Sequence, residues 1–177
     1  MALILEDGTG ISNSNSYTTV AIADAYFADR NNQDWLGLDN ADQKTPYLIL
    51  ATDYLEQMYR LSWLGFRRLT TQALSWPRAW AARPDLSGGY GPFPYYYGFN
   101  TIPQEVIAAQ MLLAVKLITG ELAPDISRED MATAVAVGPI KIDYDKNKPS
   151  FTIFRNVDLL LAPLLINNNQ QAQVVRT

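Results

Sequence analysis

Asp143, Asp145 and Asn147 have the spacing of the first three ligands of a calcium loop. Lys148 stands where that loop requires glycine, and Phe154 where it requires a bidentate glutamate, so the pattern fails and a solvated hairpin edge is expected. Gly8 and Gly10 come without the lysine of a phosphate-binding loop and without a following helix, which leaves a tight N-terminal turn. Two carboxylates suffice for glycosidic cleavage, but Asp24, Asp29, Asp53, Glu56, Glu121, Asp125, Glu129 and Asp130 are scattered. Asp53 and Glu56 have helical spacing and are expected to pair with Arg60 or face water. The chain has no histidine and no cysteine, which removes imidazole bases, thiolate nucleophiles and the usual zinc and copper ligands. No enzyme, metal or cofactor is expected.

Two aromatic groups remain. Arg60, Trp63, Phe66, Arg67, Arg68, Trp76 and Arg78 combine cations with rings, the composition of a single-strand nucleic-acid groove. Trp63, Arg67, Arg68 and Trp76 are the candidate residues of that reading. The competing reading makes the tryptophans core anchors and pairs the arginines with acids or a partner. A net charge of −4 with only 14 basic residues favours this second reading. Tyr90, Phe93, Tyr95, Tyr96, Tyr97 and Phe99 lie in a Gly- and Pro-rich stretch that offers no apolar groove of its own. Tyr95, Tyr96, Tyr97 and Phe99 are therefore expected to contact a neighbouring subunit or a tail component.

These residues need elements to position them. Thr18 or Thr19 caps a helix reaching about Arg30, and Asp42 starts a second with Pro46 near its first turn. Trp35 and Leu36 are expected to plug into the core. A third helix begins at Pro103 and stops at Gly120; its apolar residues cover nearly its whole circumference, so it is central or also buried against another subunit. Ala134–Val137 and Ile140–Tyr144 read as a hairpin, and Asn156–Leu165 as a short helix that Pro163 kinks or shortens. The segment Thr71–Pro77, T-Q-A-L-S-W-P followed by Arg78, has no catalytic logic and is expected to pin the domain.

The fold class is therefore mainly α: a small helical bundle with a short β-hairpin and long loops. One domain is expected over residues 1–166, with residues 80–100 as an aromatic insertion loop and residues 167–177 as an extended C-terminal arm. No apolar run has membrane-spanning length.

Glu6–Gly10, Asn15–Tyr17, Ala23–Phe27, Ala51–Leu55, Gln72–Arg78, Val137–Ile140 and Asp158–Leu165 together resemble, in order and over nearly the whole chain, a family of tailed-bacteriophage proteins labelled putative DnaT-like ssDNA-binding proteins. The same proteins look like head–tail connectors. That resemblance implies a virion adaptor: a ring of copies of this chain, expected to be dodecameric, between portal and tail or neck proteins. Genomic DNA would pass through its channel without sequence-specific binding. The implied location is the head–tail interface, after synthesis in the bacterial cytoplasm. Val174, Val175 and Arg176 would be the portal contact. The alternative is a single-stranded-DNA-binding protein of phage replication.

Overall fold

The computed structural model describes residues 2–83, 85–86, 95–120, 122, 134–137, 140–143 and 154–166. Over these the chain is mostly helical, as expected, with helices α1 (Val20–Ala28), α2 (Gln33–Leu36), α3 (Ala41–Tyr59), α4 (Gln104–Thr119) and α5 (Arg155–Leu161). A 3-10 turn, Ala162–Leu164, follows α5 directly and contains Pro163, which ends the α-helix early because proline cannot donate to the ladder.

Each early helix starts on a polar cap. Thr19 Oγ1 accepts a hydrogen bond from the Ile22 amide, Asn32 Oδ1 from Trp35 and Asn40 Oδ1 from Gln43. Asn40 starts α3 one residue earlier than expected and leaves Pro46 in its second turn, on the exposed side. Pro103 and Gly120 bound α4 as anticipated.

Helices α3 and α4 pack together at the centre; α5 and α2 also lie against α4, and α1 lies against α2 and α3. Val106, Ala109, Met111, Leu113, Ala114 and Val115 of α4 are buried, and Ile107, Leu112, Leu117 and Ile118 are half-buried against the same core. The apolar circumference of α4 is thus covered largely within one chain. Trp35 is fully buried, whereas Leu36 is exposed.

Gln110 is a buried polar residue on this central helix. Its side-chain carbonyl accepts from the Tyr17 amide at 3.0 Å, and its amide nitrogen donates to Ser16 Oγ at 2.7 Å and the Leu48 carbonyl at 2.9 Å. The N-terminal segment, α3 and α4 are tied at this one side chain.

Among the described residues, two antiparallel strand pairs complete the architecture. β3 (Ala134–Val137) and β4 (Ile140–Asp143) form the expected hairpin, with Val135 opposite Ile142. β1 (Phe66–Arg67) and β2 (Arg78–Ala79) form a second pair that periodicity does not reveal, since two residues carry no period. The arm 167–177, with Val174, Val175 and Arg176, lies outside the described residues, as do Asp145, Asn147, Tyr90 and Phe93. No helix among the described residues is long and apolar enough to cross a membrane.

Candidate nucleic-acid interface

The N-terminal glycine turn closes on a carboxylate. Buried Glu6 accepts hydrogen bonds from the amides of Gly8 (3.0 Å), Gly10 (2.8 Å) and Ile11 (2.8 Å) and from Ser14 Oγ (3.1 Å). The amides that a phosphate would need already serve Glu6, so this is a structural turn.

The segment around Ser75 is pinned in a similar way. Glu56 on α3 accepts from Tyr17 Oη at 2.7 Å, from the Ser75 amide at 2.8 Å and from Ser75 Oγ at 2.7 Å. The Trp76 amide donates in turn to Tyr17 Oη. Glu56 is thus half-buried and pairs with donors of the two loops and not with Arg60. Burial, and then the Glu56 charge, push the Tyr17 hydroxyl well above its usual pKa.

The arginines hold backbone. Buried Arg78 donates to the carbonyls of Leu64 (2.7 Å), Ser75 (3.3 Å), Trp63 (3.4 Å) and Gly65 (2.6 Å). Arg67 Nη2 donates to the carbonyls of Gln72, Ala73 and Leu74, and Arg68 Nη1 to that of Gly8. A guanidinium can satisfy several carbonyls at once because its five donors lie in a fixed fork. In this way backbone carbonyls of the irregular turns on either side of β1 and before β2 find donors.

Trp63 and Trp76 are 2% and 0% exposed. They sit in a ladder of rings: Tyr59–Trp63 are tilted at 5.8 Å, and Trp63–Trp76 at 6.0 Å and Trp76–Tyr97 at 5.9 Å between centroids are edge-to-face. The four residues marked in the sequence as a nucleic-acid site, Trp63, Arg67, Arg68 and Trp76, therefore do not form an outward groove. Two rings are core, and the two arginines face backbone carbonyls because the turns they hold have no ladder partners.

A different set of rings faces outward. Beyond β2, residues 81–83 run antiparallel to 95–97: the Arg83 amide donates to the Tyr95 carbonyl at 2.7 Å, and the Tyr97 amide to that of Ala81 at 2.9 Å. Tyr97 points inward and is buried, whereas Tyr95 and Tyr96 are exposed. Trp80, 57% exposed, is the centre of the outer cluster, 5.3 Å from Tyr96 and 5.5 Å from Phe99 between centroids. The Trp80 backbone has φ +60°, a left-handed conformation that bulky residues rarely hold. Gly65, at φ +69°, lies against this backbone; a Cβ there would press on the Ala79 carbonyl, Trp80 and Ala81. Arg83 stands beside the ribbon, 3.7 Å from Asp85 and 5.0 Å from the Tyr97 ring centroid.

Sequence reasoning marked Tyr95, Tyr96, Tyr97 and Phe99, and the structure gathers Tyr96 and Phe99 around a residue it missed, Trp80. The available signal was position: Trp80 directly follows Arg78-Ala79, at the mouth of the aromatic loop.

The family model described as "Putative DnaT-like ssDNA binding protein" matches residues 1–177. No curated protein and no solved structure matches the chain. The match corrects the leading functional expectation. A head-to-tail adaptor of the virion, with portal, tail or neck proteins and a ring of its own copies as partners, is not what this family's description points to; single-stranded DNA binding, the alternative, is. The physical argument for the ring also loses its basis, because α2, α3 and α5 already cover most of α4. From Met1 to Thr177 the chain belongs to the putative DnaT-like ssDNA-binding protein family.

Proposed function

We propose that this protein binds single-stranded DNA, and that bases stack on the outward cluster of Trp80, Tyr96 and Phe99, with Tyr95 beside it. The observation that carries the reading is an exposed tryptophan held in a left-handed backbone conformation and flanked edge-to-face by two further exposed rings. Strain at an exposed aromatic residue is typical of a ligand clamp. Every nucleobase offers a π-face, so such a platform suits an unpaired strand and not a duplex. The family description supports the same ligand.

The protein carries its own probe. Of its four tryptophans, Trp35, Trp63 and Trp76 are buried and Trp80 alone is exposed. Adding a thymidine oligonucleotide about 20 nucleotides long should quench the red-shifted part of the emission. Trp80→Ala should weaken binding roughly 5- to 100-fold, and Trp80→Phe should restore most of it. Undiminished affinity in Trp80→Ala would remove this surface from the interface. Failure of the wild-type protein to bind at about 50 mM salt would refute the function.

A further inference from the structure

Single-strand binders usually combine stacking rings with a basic groove, and salt then weakens them steeply. Among the described residues, the arginines nearest Trp80 in the chain are engaged with other groups. Arg78, two residues before it, is buried and donates to four carbonyls. Arg67, opposite Arg78 in the strand pair, donates to three. Arg83, the cation of the ribbon itself, lies beside the Asp85 carboxylate and over the Tyr97 ring. The chain as a whole is acidic, at −4.

Resting on the proposed function, we infer that the ligand recognised at Trp80, Tyr96 and Phe99 is the unpaired nucleobase and not the phosphate backbone. Binding is carried by stacking, with about one or two phosphate contacts. An acidic protein can still hold an anionic strand in this way, because stacking energy does not depend on counterion release. The backbone is then held loosely, and the contact is tolerant of salt.

Two measurements on the full chain test this. The first is affinity for the thymidine oligonucleotide by fluorescence anisotropy at about 50 and about 200 mM salt. A loss of about 3- to 7-fold is expected, where a site held by about seven phosphates would lose about 1,000-fold. The second uses an abasic oligonucleotide of the same length, which keeps every phosphate and removes the bases. It should bind at least about 10-fold more weakly than the thymidine strand, and Phe99→Ala, at an exposed ring outside the core, should narrow that gap. Equal binding of both strands, or a loss above about 10-fold between the two salt concentrations, would overturn the inference while leaving single-strand binding intact. Absence of thymidine-strand binding at low salt would overturn both.

Discussion

The hydroxyl of Tyr17 donates to Glu56 at 2.7 Å, across 39 positions of sequence, and so joins the N-terminal segment to the middle of the domain. The same carboxylate receives both donors of Ser75. Glu56 is thus the common acceptor for three groups that reach it from two different loops.

Glu56→Ala should leave those donors without an acceptor in a largely buried place. Unmet polar groups of this kind cost about 1–3 kcal/mol each, so a loss of roughly 3 kcal/mol or more is expected in urea unfolding. Tyr17→Phe in the same background should couple to it by about 1 kcal/mol, since both variants break one network. Strict additivity of the two changes would show that the network is not shared.

Arg78→Lys tests the carbonyl clamp. One ammonium on a flexible stem cannot meet four carbonyls arranged around a guanidinium fork. Burial already holds the Arg78 pKa below its usual value, which marks a charge removed from water. A loss of about 2–3 kcal/mol in unfolding free energy is expected. Wild-type stability in this variant would mean that the carbonyls are satisfied without the fork.

Alkaline pH should destabilise the fold. Burial and the Glu56 charge raise the Tyr17 pKa; burial and the Asp158 carboxylate, 2.5 Å from the Tyr59 hydroxyl, raise that of Tyr59. Both tyrosines titrate near the ordinary value of 10.0 once unfolded. Above that pH the unfolded chain releases protons that the folded chain keeps, so stability present below about pH 10 falls as pH rises. Each tyrosine contributes a slope of about 1.4 kcal/mol per pH unit. In urea unfolding between about pH 9.5 and 11, Tyr59→Phe should remove one such slope; a pH dependence identical to wild type would contradict the assignment.

Gly65→Ala should damage fold and binding together. Alanine at φ +69° is strained by about 1–2 kcal/mol, and its Cβ would meet the backbone of residues 79–81, which cannot swing aside as a side chain can. Thermal unfolding should shift down by several degrees, and the exposed-tryptophan emission should change as Trp80 is displaced. A stable Gly65→Ala protein with unchanged emission would show that Gly65 does not position Trp80.

How much of this was legible in the sequence follows from the range of the forces involved. Thr19, Pro103, Gly120 and Pro163 act on their own turns, so α1, α4 and the shortened α5 could be placed from local chemistry. The alternation in Ile140–Tyr144 likewise marked the hairpin before any contact was known. Composition alone removed imidazole and thiolate chemistry. The roles of Trp63, Arg67, Arg68 and Trp76 were different, because a tryptophan or an arginine serves equally well at a surface or in a clamp. Only the tertiary structure, by bringing the carbonyls of Trp63, Leu64 and Gly65, 13–15 positions away, onto Arg78 and turning Trp80 outward on a strained backbone, decided which rings are core and which are presented. Burial is a property of what the rest of the chain places around a side chain, and no residue carries that information by itself.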